Sequence, residues 1–232
     1  MRVLDLFAGI GGMSLGLERA GMQTVAFCEI EEFPRQLLAY HWPEVPIHGD
    51  IATARFDGPV DLVAAGFPCQ DISLAGKGAG LTGERSGLYW HILRTLRMVG
   101  RPKLLLENVA ALLNRGMGAV LGSLAQIGYD AEWHCIPASA VGAPHGRDRL
   151  WIVAHPIGDQ QSREEPRVRA FGRMGRIEQS LAWERDWQGA FAELRGLDDG
   201  LPRSVASTDG YRNAVVPQVV EVIGRAIMEE AA

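Results

Sequence analysis

Along residues 1–155, short apolar runs alternate with stretches whose apolar positions recur at helical spacing. Residues 3–7 read as a first strand, and residues 12–20 as a helix opening from glycines. Residues 24–28 form a second strand, followed by a helical stretch over 31–41. Further strands are expected near 45–48, 60–65, 104–107, 131–136 and 150–154, and helices over 88–99 and 118–128. This βαβα rhythm predicts an α/β domain with a mainly parallel sheet flanked by helices.

The rhythm stops at Pro156. From there to about Asp209 the chain is rich in Arg, Gly, Trp and acids, with one candidate helix over 177–194. That stretch reads as an insert or a small irregular region. Helical apolar spacing resumes at Val215 and continues beyond Pro217, a residue suited to a helix's first turn. The simplest division is therefore a main domain over 1–155, a small region over 156–209, and a terminal segment over 210–232 whose helix returns to the main sheet.

At 232 residues the chain can bury a sizeable core, and 47% hydrophobic with 22% charged residues is ordinary for a globular enzyme. No apolar run approaches the roughly 20 residues that span a bilayer, and the N-terminus reads as a strand, so neither membrane attachment nor a signal peptide is expected. The three widely spaced cysteines, Cys28, Cys69 and Cys135, argue against a disulfide framework or zinc cluster and favour a reducing cytoplasm. The net charge of −5 excludes a protein coated in positive charge, but not a local basic strip. Between Arg147 and Arg176 there are seven arginines against four acids, compatible with bland surface charge or with contact to phosphates.

The segment Asp5-Leu6-Phe7-Ala8-Gly9-Ile10-Gly11-Gly12 is a strand, a glycine turn and a helix start. A dinucleotide fingerprint would require a third glycine where this chain has Ser14. A tight glycine turn also serves ligands without pyrophosphate, because the backbone can approach a bulky group closely. Glu29 follows the second strand, where it can accept hydrogen bonds from ribose hydroxyls. Asp50 follows the third, where it can receive an adenine amino group. Acids at successive strand ends favour a nucleoside-bearing ligand such as S-adenosylmethionine.

Cys69 lies in Gly66-Phe67-Pro68-Cys69-Gln70, just past an apolar run, on a turn that presents a thiol rather than packing it away. The next clear strand ends in Glu107-Asn108-Val109. A nucleophile and an acid at the ends of successive strands form a covalent-catalysis pair. Right-handed crossover of the intervening unit leaves both strand ends on one sheet edge. Arg147 and Arg149 alternate so as to share one side of the strand that follows.

These blocks together resemble the cytosine-C5 DNA methyltransferase family. The resemblance rests on residues 5–12, on Gly66-Phe67-Pro68-Cys69-Gln70-Asp71-Ile72-Ser73, on Glu107-Asn108-Val109, and on Gly142-Ala143-Pro144-His145-Gly146-Arg147-Asp148-Arg149. A weaker tail match is Asn213-Ala214-Val215-Val216. It covers about residues 1–155 and 213–230, and implies a Rossmann-like methyltransferase fold. It also implies S-adenosylmethionine as cofactor, held by Phe7, Ala8, Gly9, Gly11, Gly12, Glu29, Ile30, Asp50, Ile51, Pro68, Leu88, Asn213 and Ala214. The implied catalytic groups are Cys69 as nucleophile toward C6 and Glu107 as proton donor to N3. Arg147 holds O2, with Arg149 supporting. Gln70, Ser73 and Asn108 are expected at the substrate. No metal is called for, because the methyl donor is already activated.

Double-stranded DNA is the expected partner, with the target base flipped out so that C6 becomes reachable. A cytoplasmic bacterial or phage modification system is the expected setting, with a second subunit or a cognate restriction endonuclease as candidate partners. The chain departs from the family at the short region over 156–212, at His145 where glutamine is usual, and at Arg212 where glycine is usual. The alternatives are a partner-dependent or inactive DNA-binding homologue and an RNA cytosine-C5 methyltransferase, with a nicotinamide oxidoreductase a distant fourth.

Overall fold

The computed structural model describes residues 1–68, 87–143, 146–158 and 214–230. In chain order the elements are β1 (Arg2–Leu6), α1 (Gly12–Arg19), β2 (Gln23–Cys28), α2 (Glu32–His41), β3 (Ile47–His48) and β4 (Leu62–Gly66). Then come α3 (Gly87–Met98), β5 (Lys103–Val109), α4 (Leu112–Arg115), α5 (Met117–Gln126), β6 (Tyr129–Pro137), a 3-10 turn (Ala138–Val141), β7 (Asp148–Pro156) and α6 (Pro217–Glu230). The expected strands and helices are present to within a few residues. The candidate helix over 177–194 lies outside the described residues.

The strands form one seven-stranded sheet in the order β3-β2-β1-β4-β5-β7-β6. The β1–β2, β1–β4, β2–β3 and β4–β5 pairs are parallel, whereas β7 runs antiparallel to both β5 and β6. The order reverses between β2-β1 and β4-β5, so the ends of β1 and β4 border the crevice where such sheets bind ligands. This is the α/β Rossmann-like arrangement expected from the sequence.

Alternation along each strand divides the core in two. On one face Leu4, Leu6, Val63, Ala65, Leu104 and Leu106 pack under α3 and α5. On the other, Val3, Leu62, Ala64, Leu105, Trp151 and Val153 pack under α1 and α6. α6 packs against α1 on this face of the sheet. Its closeness to α1 depends on two glycines: a Cβ at Gly16 would fall 2.5 Å from Val220 Cβ, and one at Gly224 would fall 2.8 Å from Ala20 Cβ. The far end of α6 is tied down by Glu230, which pairs with Lys103 at 3.1 Å and lies 3.6 Å from His155.

Candidate active site

β1 delivers its chain into a turn that ordinary residues resist. Phe7 has φ 56°, Gly9 φ 53° and Gly11 φ 86°. Glycine adopts this left-handed region without a Cβ penalty, and Phe7 must be held in it by its surroundings. Space decides between the two glycines. A Cβ at Gly9 would meet nothing within 4 Å, so its approach side is open. A Cβ at Gly11 would fall 2.5 Å from the Trp42 ring, so that glycine is already accounted for by α2 packing on the turn. Trp42 is fixed in turn by its indole N–H, which donates to Glu18 at 2.9 Å. Gly12 faces Val215, whose Cγ2 would lie 3.2 Å from a Cβ there. The tail that begins at Ala214 thus runs beside the start of α1.

Glu29 is buried, with one carboxylate oxygen accepting from the Gly9 N–H and the other from the Glu31 N–H, each at 2.8 Å. It joins the turn after β1 to the turn after β2, a contact across 20 residues that spacing alone does not reveal. Beside it Ile30 stands 65% exposed, a large apolar side chain at a strand end with no core to fill. Asp50 is exposed and accepts the Ala52 N–H at 2.8 Å, while neighbouring Ile51 is buried. An open glycine turn, an exposed apolar side chain and acids at the ends of β2 and β3 fit a ligand carrying a ribose and an adenine. Leu88 lies at the start of α3 and packs partly against the core beneath.

The second cluster lies at the ends of β4, β5 and β7. Gly66 pairs with Glu107 in the β4–β5 register, and a Cβ on Gly66 would come 3.3 Å from Glu107 Oε2. The acid needs the glycine opposite it. Glu107 is 9% exposed, and its Oε1 is 2.9 Å from Arg149 Nε. Burial pushes the Glu107 carboxyl above its ordinary value. The charges of Arg149 and then Arg147 pull it back, and burial wins. Arg147 has its own pKa lowered by burial and by the neighbouring Arg149 charge. The structure thus brings Glu107, Arg147 and Arg149 together, with Arg149 as the direct ion-pair partner.

Asn108 is buried. Its amide donates to the Phe67 carbonyl at 3.0 Å, and its side-chain oxygen accepts the Val109 N–H at 2.9 Å. It binds the end of β5 to the chain two residues before Cys69. Phe67 is itself pinned against Tyr89 of α3, with ring centroids 5.2 Å apart, and Pro68 is exposed. Cys69, Gln70, Ser73 and Asn213 lie outside the described residues. Two further groups escaped the sequence reading. Asp5 is fully enclosed and accepts the Ser14 hydroxyl at 2.7 Å. Arg94 of α3 reaches across to the loop after β3, donating to the carbonyls of Ile51 at 2.5 Å and Ala52 at 2.7 Å. Asp5 bonds 9 residues ahead across the glycine turn and Arg94 reaches back 42 and 43 residues, and nothing in their local spacing signals either.

Residues 1–178 match the family described as C-5 cytosine-specific DNA methylase. A type II methyltransferase of Bacillus subtilis strain 168 is 39% identical over 167 residues, covering 68% of this chain and 43% of that protein. One of Escherichia coli is 38% identical over 161 residues, covering 66% of this chain and 39% of that protein. The chain thus spans less than half the length of these two curated relatives. Among solved structures, the Dnmt2 methyltransferase of S. pombe superimposes with a TM-score of 0.59 at 21% identity, covering 82% of this chain and 61% of that one, a likeness of fold. The glycine turn, the acids at successive strand ends and the buried Glu107 are thereby given a common setting: the chain belongs to the C-5 cytosine-specific DNA methylase family, which implies S-adenosylmethionine as its cofactor.

Proposed function

We propose that this chain methylates C5 of cytosine in duplex DNA, acting on a base rotated out of the stack. The observation that carries the reading is Glu107: a buried carboxyl with a raised pKa, at the end of the strand beside the one that leads to Cys69. S-adenosylmethionine, when bound, supplies a methyl group already activated on a sulfonium, so no metal is required. The protein's task is to make an unreactive carbon nucleophilic. The Cys69 thiolate adds to C6, and the electron pair of the broken C5–C6 double bond moves into the ring toward N3 and O2. Glu107, protonated, gives its proton to N3. The carboxylate left behind is met by Arg149, already 2.9 Å away, so the new charge is compensated where it forms. Arg147 holds O2. C5 is then an enamine carbon able to accept the methyl group. Removal of the C5 proton by a base, water included, re-forms the C5–C6 double bond and expels Cys69 as thiolate, and return of the N3 proton to Glu107 restores the neutral base and the acid.

Asn108 serves as a strut beneath this site through its bond to Phe67, while Gln70 and Ser73, which follow in sequence, contact the substrate. Residues 156–209 form a short target-recognition region, and 210–232 a tail that brings Asn213 and Ala214 to the cofactor. Among the described residues no helix is long and apolar enough to cross a membrane.

The test is incubation with S-adenosylmethionine and duplex DNA carrying 5-fluorocytosine, whose C5 fluorine cannot leave as a proton does. A covalent complex that maps to Cys69 and disappears in Cys69→Ser is the expected result. Cofactor binding without any adduct overturns the reading. Preferential trapping of structured RNA over duplex DNA reassigns the substrate.

A further inference from the structure

We propose that Arg94 is a positioning residue for the adenine end of the cofactor, acting through the loop that carries Asp50. The proposal rests on the cofactor reading above. Arg94 sits in the middle of α3, yet its guanidinium leaves its own helix. It donates to three backbone carbonyls of the loop after β3: Ile51 at 2.5 Å, Ala52 at 2.7 Å and Ala54 at 3.4 Å. A planar guanidinium with several donors in fixed directions can bind a curved run of carbonyls as one unit, which a lysine cannot do.

The loop needs such a partner. β3 contains only Ile47 and His48, and the chain leaves it through Gly49 and Asp50. From there it is shaped by local bonds: the Asp50 side chain accepts the Ala52 N–H, its carbonyl accepts the N–H groups of Thr53 and Ala54 at 3.1 and 2.9 Å, and Arg55 donates to the carbonyls of Thr53 and Ala54 at 3.2 and 3.1 Å. Those bonds shape the loop but tie it to nothing else. Burial of Ile51, Ala54 and Phe56 against the core anchors its underside. Arg94 closes the upper strand of carbonyls onto α3, which also presents Leu88. One Asp50 oxygen is committed to the loop, and among the described residues the other, Oδ2, makes no hydrogen bond. Its direction is therefore set by the loop, and the loop's attitude is set by Arg94.

This gives Arg94 a role in selectivity that a merely structural residue would lack. An acceptor held in place distinguishes adenine, with its exocyclic amino group, from hypoxanthine, which carries an oxygen there. An acceptor free to swing does so poorly. The measurement is the dissociation constant of S-adenosylhomocysteine and of its inosine counterpart, taken by calorimetry on the whole chain without DNA, so that methyl transfer plays no part. The unchanged protein is expected to prefer the adenine compound by about tenfold or more. In Arg94→Lys and Arg94→Gln the preference collapses toward unity, mainly through weaker binding of the adenine compound. Melting curves identify whichever variant keeps its fold. Asp50→Asn should remove the same preference, and combining it with Arg94→Lys should remove nothing further, because both act on one contact.

Preference retained in a folded Arg94 variant overturns the proposal, as do additive losses in the double variant. If the unchanged protein binds neither compound, the cofactor reading fails and this proposal with it. Tight binding of S-adenosylhomocysteine without any DNA adduct would sink only the proposed catalytic activity.

Discussion

Asp5 at the end of β1 and Glu107 at the end of β5 are both buried carboxyls, and strand alternation places them on the same face of the sheet. Burial raises both pKa values, that of Asp5 to about 7. Their company differs. Asp5 is held by the hydroxyl and backbone N–H of Ser14, and its nearest named charge is the like charge of Glu29. Glu107 faces two arginines. Ionising Asp5 creates a charge that only hydrogen bonds from one residue answer. Ionising Glu107 creates a charge that Arg149 is already placed to receive. Burial alone makes a carboxyl hold its proton, and burial beside a cation makes one that can hold it and then surrender it. The first arrangement suits a fixed support at the root of the cofactor turn; the second suits a proton donor.

The sharpest way to break this contrast is Glu107→Gln, which keeps the shape but cannot transfer a proton. Methyl transfer to duplex DNA should fall on the order of a hundredfold or more, while S-adenosylhomocysteine binding is retained, as single-turnover assays and calorimetry would show. Next is Gly66→Ala, whose new Cβ would press to 3.3 Å from Glu107 Oε2 and force the carboxyl off its line to Arg149. A roughly tenfold loss of turnover is expected, with a melting temperature close to the parent's, since catalytic geometry is sensitive to small displacements of the proton donor.

Arg149→Met probes the cation itself. Arg149 lowers the Glu107 pKa, so its removal raises that pKa further. Activity that requires protonated Glu107 is lost as pH rises through this pKa. The alkaline limb of the rate profile should therefore move to higher pH, by about one unit for loss of a close opposite charge. The smallest effect belongs to Asp5→Asn. Because Asp5's folded pKa is raised from 3.8 to about 7, its stabilising contribution is complete below the unfolded value and disappears as pH climbs to about 7. Melting temperatures of the parent should decline over that window. In the variant the decline should be shallower. A parent curve that rises over the same window would contradict the role assigned to burial at Asp5.

Much of the sheet was legible because strand and helix periodicities differ and because Asp5–Gly12, Gly66–Ser73 and Glu107–Val109 punctuate its strand ends. The reversed direction of β7 was not, since Leu150–Ala154 is apolar on both faces and reads the same either way. α4 and the 3-10 turn over Ala138–Val141 were missed because four residues are too few to display a period. At the site, strand order put Glu107 at the edge reached by the chain leading to Cys69 and alternation put Arg147 and Arg149 on one side of their strand, but that these arginines join Glu107 was only what the resemblance implied. Arg149, expected as support, proves to be the one paired directly with the acid. The bonds of Glu29 to Gly9, Asn108 to Phe67, Asp5 to Ser14 and Arg94 to the Asp50 loop join residues whose nearness is created only by folding. Gly11 offered a different lesson: its small size also makes room for Trp42, a neighbour that the glycine turn's sequence does not signal.

The interlock of Gly16 and Gly224 has a consequence for how the molecule comes into being. Helix α1 leaves the ribosome roughly 200 residues before the surface it is shaped to meet, so this contact closes a very long loop. Until then the apolar stripe of Met13 and Leu17 has no lid on its outer side. A nascent chain halted after β7 would carry a sheet with an uncovered flank, a natural target for holding chaperones and proteases, and completion of the tail would hide it.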